Sequence, residues 1–129
     1  MPTSVPMMRP SDAPPTDTGA VVIGRNEGAT LAGCLQSVIG QVTMLVYVDS
    51  GSSDDSVAIA RTMGIDVVEL DRTKPFSAAR ARNVGLRRLR ESAAIEFVQF
   101  VDGDCELEPT WIAAGLAVLR NHEAVAIVC

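Results

Sequence analysis

Short apolar runs that alternate with segments of helical spacing constrain this chain more than any other feature of its sequence. Four such runs are each followed by a helix-like segment; they begin at Ala20, Met44, Ile65 and Ile95. Between the first two, Leu31, Leu35 and Val38 recur every three or four residues, as on one face of a helix. This alternation predicts an α/β fold, in which helices cover both faces of a mostly parallel sheet.

The segments between the runs contain residues that favour helix ends. Thr30 is predicted to cap the first helix, and Gly64 to end the second. The third helix is predicted over Phe76 to Arg90, and Pro109 suits the first turn of the fourth. An apolar run from Ala124 to Val128 predicts a fifth strand, after which the chain ends.

Composition indicates the organisation of the chain. Residues 1–18 are rich in Pro, Ser, Thr and Asp without periodicity, so we expect a disordered Pro-rich tail. Residues 19–129 have the length of one domain. No apolar run is long enough to cross a bilayer, and no secretory signal is recognisable. We therefore expect a cytoplasmic protein without a membrane segment in this chain. The full-length protein is expected either in the cytoplasm or at the inner face of the membrane.

Charge and cysteine content exclude several classes of protein. The net charge of −5 argues against a nucleic-acid partner. The cysteines Cys34, Cys105 and Cys129 are widely spaced, so neither a zinc site nor a disulfide framework is predicted. Seven of the 11 Lys and Arg residues lie between Arg72 and Arg90, which predicts a local site for an anionic ligand.

Polar clusters follow three of the predicted strands. They span Gly24–Glu27, Asp49–Asp55 and Asp102–Asp104. In a parallel sheet the carboxyl ends of the strands lie along one edge, where open α/β sheets bind ligands. The three clusters therefore predict one composite site.

The sequence Asp102-Gly103-Asp104 suits a divalent ion. Carboxylates two residues apart can face the same side of an extended chain, and the glycine allows a ligand to approach the backbone. Mg²⁺ and Mn²⁺ take few protein carboxylates and complete their coordination with phosphate and water. The alternative is an Asp-Gly turn. Because the pair follows the most hydrophobic strand, we favour the metal site.

Asp49 and the third helix are candidates for contact with a nucleotide. A carboxylate at Asp49 can accept a hydrogen bond from a nucleobase N–H, whereas the alternative is a strand-to-helix turn with capping acids. Arg80, Arg82 and Asn83 lie in the first half of their helix, where cations oppose the helix dipole, so we expect them to meet a diphosphate. Arg87, Arg88 and Arg90 are expected to form a solvated face.

Together these motifs resemble family 2 of the glycosyltransferases, the inverting enzymes with the GT-A fold. The resemblance covers Ala20 to the C-terminus and rests on five ordered segments: VVIGRNEG, CLQSV, VDSGSSDDS, ARARNVG and FVDGDCELEPTW. It implies a nucleotide-sugar donor, usually a UDP-sugar, and a divalent metal, Mn²⁺ or Mg²⁺.

The resemblance also assigns residues. Asp102 and Asp104 match the metal-binding DxD motif, and Asp49 matches the acid that contacts the base. The nucleotide-binding residues predicted in this way and from the polar clusters are Gly24, Arg25, Asn26, Glu27, Asp49, Ser50, Gly51, Arg80, Arg82, Asn83, Asp102 and Gly103. Ser50 stands where the family often has a second acid, so the choice between UDP and GDP stays open. Arg25 is expected to add a phosphate contact.

In this family the catalytic base and the acceptor-binding half follow the DxD motif by many tens of residues. This chain ends soon after Asp104, so we expect the donor-binding half of a larger enzyme, with the base beyond Cys129. The alternatives are a non-catalytic nucleotide-binding module of the same fold and a sugar-phosphate nucleotidyltransferase. A nucleotidyltransferase usually has a glycine-rich, basic phosphate loop after the first strand. The segment Gly24–Gly28 is too short and too acidic for such a loop, which argues against this class. A dinucleotide-dependent oxidoreductase is disfavoured because no GxGxxG follows that strand.

Overall fold

A computed structural model describes residues 17–92, 94–122, 124 and 127. Strands and helices alternate strictly in this part of the chain. The elements are β1 (Thr18–Gly24), α1 (Gly28–Ile39), β2 (Met44–Asp49), α2 (Ser56–Thr62), β3 (Asp66–Glu69), α3 (Ala78–Ser92), β4 (Phe97–Asp102) and α4 (Trp111–Asn121). None of the helices in the described part combines the length and apolarity needed to cross a bilayer.

The four described strands form one parallel sheet in the order β3-β2-β1-β4. In its register, Gly24 lies beside Asp49 and Ile23 lies beside Asp102. The carboxyl ends of the two inner strands and of β4 are therefore level with one another. The α/β class predicted from the sequence is confirmed.

Side chains of the strands alternate between two cores, because successive residues of a strand point to opposite faces. Ala20 and Val22 of β1 pack on one face with Leu31 and Leu35 of α1. Val21 and Ile23 pack on the other face with α3. The central strands are apolar on both sides because helices cover both sides.

Several element boundaries differ from those predicted. Thr18, assigned to the tail, is buried and begins β1. Thr30 does not cap α1, since Glu27 occupies the N-cap position and Thr30 lies within the helix. Helix α3 begins at Ala78 rather than Phe76. Gly64 follows α2 with a φ of +77°, as its predicted role requires. Residues 1–16 of the predicted tail, and most of the predicted fifth strand from Ala124 to Val128, lie outside the described residues.

Candidate functional site

Backbone hydrogen bonds continue across the sheet just beyond the strand ends. The N–H of Gly103 donates to the carbonyl of Ile23 at 2.8 Å, and the N–H of Ser50 donates to Gly24 at 2.9 Å. The N–H of Leu70 donates to the main-chain carbonyl of Asp49 at 2.9 Å. The segments that follow all four strands are therefore held side by side at one edge, as the parallel topology predicts.

A cavity of about 210 Å³ lies at this edge, above β1, β2 and β3. We call it the basic pocket; its lining residues are Arg25, Ser50, Gly51, Leu70, Asp71, Arg72, Lys74, Phe76 and Arg80. Four of these side chains are cationic and one is acidic. Such an excess of positive charge in a concave site favours an anionic ligand.

Sequence reasoning found part of this pocket and missed the rest. Arg25, Ser50, Gly51 and Arg80 were predicted to bind a nucleotide, and the structure brings them together. Arg72 and Lys74 belong to the basic stretch from Arg72 to Arg90 that predicted an anion site, but they were not named as binding residues, and Phe76 was not predicted as a site residue. Residues 71–76 follow β3 at the same sheet edge as the three polar clusters, and this position is the signal that could have identified them.

The loop after β3 is held in place by its own polar contacts. The guanidinium of Arg72 donates to the carbonyl of Ser52 at 3.0 Å, and that of Arg80 donates to the carbonyl of Asp71 at 3.3 Å. The carboxylate of Asp71 accepts hydrogen bonds from the hydroxyl and the N–H of Thr73, which hold the pKa of Asp71 below its usual range. Both guanidinium groups therefore lie at the pocket wall with neutral carbonyl partners.

Asp49 is buried, and its carboxylate is satisfied from within the chain. Oδ1 accepts hydrogen bonds from the hydroxyls of Tyr47 and Ser52, at 2.7 and 2.5 Å. Oδ2 accepts from the N–H groups of Gly51 and Ser52, at 3.1 and 2.8 Å. A carboxylate offers about four acceptor positions, so these bonds leave none directed at a ligand. In this geometry Asp49 organises the loop after β2, and its contact with a base stays a prediction.

Ser50, the next residue, is in the opposite situation. Its Oγ is shielded from solvent and has no hydrogen-bond partner among the described residues. The residue lines the basic pocket. Buried hydroxyls are normally paired, and an unpaired one costs free energy, so Ser50 carries an unmet hydrogen bond beside the pocket.

Asn26 joins the loops after β1 and β2. It has a φ of 54°, a left-handed conformation that asparagine tolerates. Its side-chain oxygen accepts hydrogen bonds from the N–H groups of Ser53 and Asp54, at 2.7 and 3.3 Å, and its own N–H donates to Ser52 Oγ at 2.8 Å. Asn26 therefore shapes the site rather than lining the pocket.

Asp102, the last residue of β4, and the turn residues Gly103 and Asp104 form a segment that we call the carboxylate turn. Asp102 and Asp104 are exposed, and a guanidinium nitrogen of Arg82 lies 3.5 Å from Asp102 Oδ1. A Cβ on Gly103 would lie 3.3 Å from the carbonyl oxygen of Ile23 and 3.4 Å from Cγ of Glu27, so a side chain there would be crowded. Arg82 and Glu27 thus lie near the turn rather than in the basic pocket, whereas Asn83 is exposed on α3 and lines neither.

The donor set of the carboxylate turn fits a divalent ion that is shared with a ligand. Within residues 17–92 and 94–122, no three His, Cys, Asp or Glu side chains converge on a point that could hold an ion. Two exposed carboxylates on one turn provide hard oxygen ligands for part of a coordination shell. Mg²⁺ and Mn²⁺ complete such a shell with phosphate and water oxygens.

A comparison with protein families identifies the chain. The model described as glycosyl transferase family 2 matches residues 20–129, which include the carboxyl ends of all four described strands. The chain belongs to glycosyl transferase family 2. The resemblance inferred from the five sequence motifs is thereby confirmed.

Curated relatives agree with this assignment. An uncharacterized glycosyltransferase of Rickettsia felis is 35% identical over 89 residues, which are 68% of this chain and 29% of that protein. A TPR repeat-containing protein of Synechococcus elongatus is 35% identical over 86 residues, 67% of this chain and 20% of that protein. The chain therefore spans less than a third of the length of these relatives.

Solved structures of glucosyl-3-phosphoglycerate synthase from Mycobacterium tuberculosis are similar to this family 2 chain. One contains Mn²⁺, UDP-glucose and phosphoglyceric acid; it is 25% identical, covers 85% of this chain and 41% of its own, and has a TM-score of 0.66. Another, with Mn²⁺, UDP and glucosyl-3-phosphoglycerate, has a TM-score of 0.63 and covers 81% of this chain and 39% of its own. The GT-A architecture predicted for the chain is confirmed by these neighbours.

Proposed function

We propose that this family 2 chain binds the nucleotide-sugar donor of a glycosyltransferase, most simply a UDP-sugar, together with Mn²⁺ or Mg²⁺. In the whole protein, the sugar would pass to an acceptor hydroxyl with inversion. A cytoplasmic location and a catalytic base beyond Cys129 stay predictions. Mn²⁺ and UDP-glucose in the synthase structures support the choice of ligands.

One observation carries the proposal: a cationic pocket and a carboxylate turn lie on the same sheet edge. The basic pocket has four cationic side chains, and the carboxylate turn has two exposed acids. The turn follows β4, which pairs with β1, and Arg25 of the pocket follows β1. A nucleoside diphosphate with a divalent ion needs both kinds of group, because cations attract the diphosphate while carboxylates bind the ion.

Ser50 is the proposed contact to the nucleobase or its ribose. Its hydroxyl can donate and accept, and it has no described partner, whereas the acceptor positions of Asp49 are occupied. A hydroxyl does not distinguish bases as a carboxylate does, since it pairs with either a donor or an acceptor. The preference for UDP over CDP therefore has to come from other pocket atoms.

The remaining residues have distinct roles in this proposal. Arg25, Arg72, Lys74 and Arg80 attract and orient the diphosphate. Asp102 and Asp104 hold the ion, which, when bound, offsets the negative charge that develops on the leaving diphosphate. Asn26, Asp49 and Gly51 keep the loops after β1 and β2 in the shape that forms the pocket wall.

Calorimetry of UDP binding with and without Mn²⁺ tests the proposal. We expect Mn²⁺ to raise the UDP affinity by about tenfold or more, because the ion neutralises like charges that would otherwise repel. Asp104→Asn should abolish this gain. Glu108→Gln, which removes an exposed acid from the same segment, is the matched control and should leave the gain intact.

The pocket is tested separately by its cations. Lys74→Gln should weaken UDP binding and reduce its dependence on salt, whereas Arg87→Gln, an exposed charge on α3 outside the pocket, should do neither. Equal UDP affinity in the presence of Mn²⁺ and of a chelator would overturn the metal-assisted site. Equal binding by wild type and Lys74→Gln would remove the basic pocket from the proposal.

A further inference from the structure

Helix α1 presents a row of polar side chains to the segment that follows β4. The row consists of Thr30, Cys34, Ser37 and Gln41, spaced by four, three and four residues, which places them on one side of the helix and its C-terminal turn. Two of its members, Cys34 and Ser37, belong to the CLQSV motif, for which sequence analysis assigned no function.

The first two members contact the carboxylate turn. The hydroxyl of Thr30 donates to the carbonyl of Gly103 at 3.2 Å, and the thiol of Cys34 donates to the carbonyl of Asp102 at 3.6 Å. Both contacts are made to the main chain of the turn, so they fix where its backbone lies and leave the carboxylates exposed.

The last two members hold the continuation of the turn. Ser37 Oγ accepts a 2.9 Å hydrogen bond from the N–H of Leu107. The amide of Gln41 is used on both sides: Nε2 donates to the carbonyl of Glu108 at 2.9 Å, and Oε1 accepts from the N–H of Ile112 at 3.2 Å. Gln41 thus connects the end of the segment with the first turn of α4.

A glycine completes this contact surface. A Cβ on Gly33 would lie 2.5 Å from Oε1 of Glu106, so a side chain there would require the Glu106 carboxylate to move. Helix α1 therefore accommodates this segment through polar contacts and through the space left at one missing side chain.

These contacts matter because residues 103–110 contain neither helix nor strand. Buried main-chain groups need hydrogen-bond partners, and a segment without regular structure has to find them elsewhere. Here α1 and the residue Gln41 just after it provide partners at Gly103, Leu107 and Glu108, on both sides of Asp104. These contacts act together with the turn's own 2.9 Å hydrogen bond, from the N–H of Cys105 to the carbonyl of Asp102, to set the position of Asp104 relative to Asp102.

We propose that Ser37 and Gln41 are positioning residues that hold the carboxylates of Asp102 and Asp104 at the spacing a divalent ion requires. The inference rests on the proposed function, because it concerns the site to which that function assigns the ion. The two residues touch neither ion nor nucleotide and act through the backbone of residues 102–112.

The test compares Ser37→Ala and Gln41→Ala with wild type, using Gln36→Ala as control. Gln36 is exposed on the same helix, outside these contacts. Hydrogen exchange followed by mass spectrometry should show faster exchange over residues 102–110 in both test variants. The control should exchange at the wild-type rate. Ser37→Thr retains the hydroxyl and should restore slow exchange.

The second readout is the Mn²⁺ concentration at which UDP binding is half-maximal. We expect it to rise about two- to tenfold in the test variants, the equilibrium equivalent of one lost hydrogen bond. UDP affinity at saturating Mn²⁺ should match that of wild type, because the basic pocket is untouched. A merely structural role would instead lower UDP affinity at every Mn²⁺ concentration, and that result would overturn the inference.

The two proposals fail in different ways. Wild-type protein that shows no Mn²⁺-dependent UDP binding overturns the proposed function, and the exchange rates over residues 102–110 still decide whether α1 positions the turn. Unchanged exchange in both Ser37→Ala and Gln41→Ala overturns the positioning role, whatever the wild type binds.

Discussion

The hydroxyl of Tyr47 donates a 2.7 Å hydrogen bond to the carboxylate of Asp49, and both side chains are buried on the same face of β2. Residues two apart on a strand point to the same side, which makes the pair possible. Ser52 completes the group, because its hydroxyl and its N–H both donate to Asp49. A buried hydrogen-bonded group thus holds the start of the loop after β2.

Replacing Asp49 by Asn should lower the free energy of unfolding, because Asp49 holds the loop after β2. The amide nitrogen cannot accept a hydrogen bond, so at least one donor among Tyr47, Gly51 and Ser52 loses its partner. We expect a loss of about 1–3 kcal/mol in the free energy of unfolding. Urea denaturation measures it. Asp55→Asn, at an exposed position of the same loop without a side-chain cap contact, should change stability little.

The ionisation of Tyr47 should be coupled to unfolding. Burial, and then the hydrogen bond to Asp49, raise the pKa of Tyr47 well above its ordinary value of about 10. The stability due to this shift is complete below pH 10 and is lost as the pH rises above it, because only the unfolded chain then releases the proton.

The sequence contains one tyrosine, so phenolate absorbance near 295 nm reports this group alone. We expect the absorbance to rise together with the loss of circular dichroism. Phenolate formation near pH 10 in a chain that retains its native dichroism would contradict the prediction. Tyr47→Phe should lose less stability than wild type above pH 10.

Ser50→Ala should separate binding from stability. Because Ser50 Oγ has no described partner, its removal should leave the free energy of unfolding unchanged or slightly higher. UDP affinity should fall by about two- to tenfold, as expected for one lost hydrogen bond. Ser53→Ala, at an exposed position of the same loop, is the control. If UDP binds Ser50→Ala and wild type equally, the hydroxyl does not contact the nucleotide.

Two helix glycines should respond to alanine with opposite signs. At Gly85 a Cβ would lie 3.0 Å from Cγ2 of Val21 and 3.1 Å from Cγ2 of Val48, so α3 packs directly on the sheet there. We expect Gly85→Ala to cost about 1–3 kcal/mol through overpacking. At Gly115 in α4 the space is open. There alanine should stabilise the helix by about 0.5–1 kcal/mol. Thermal or urea denaturation of both variants checks the difference in sign.

Much of the architecture follows from local patterns. The apolar runs predicted all four described strands, because strands covered on both faces need apolar residues throughout. Helix ends were predicted less well, and Thr30 is the clearest case. A threonine near a helix start resembles a cap in sequence, whereas here its hydroxyl reaches Gly103 across the sheet edge. A contact between residues so far apart in the chain has no local sequence signal.

The sequence by itself determined the α/β class, the parallel sheet and the edge at which the polar clusters meet, because these depend on the spacing of apolar residues and on glycine positions. Only the tertiary structure decided which of two neighbouring polar side chains is hydrogen-bonded within the protein. Asp49 and Ser50 are adjacent, yet the carboxylate is fully hydrogen-bonded within the loop and the hydroxyl has no described partner. This difference depends on Tyr47 and Ser52, whose hydroxyls donate to Asp49, and on the positive φ of Gly51, which turns the chain just after β2. Pairing in three dimensions, and not residue type, sets which polar group is left without a partner.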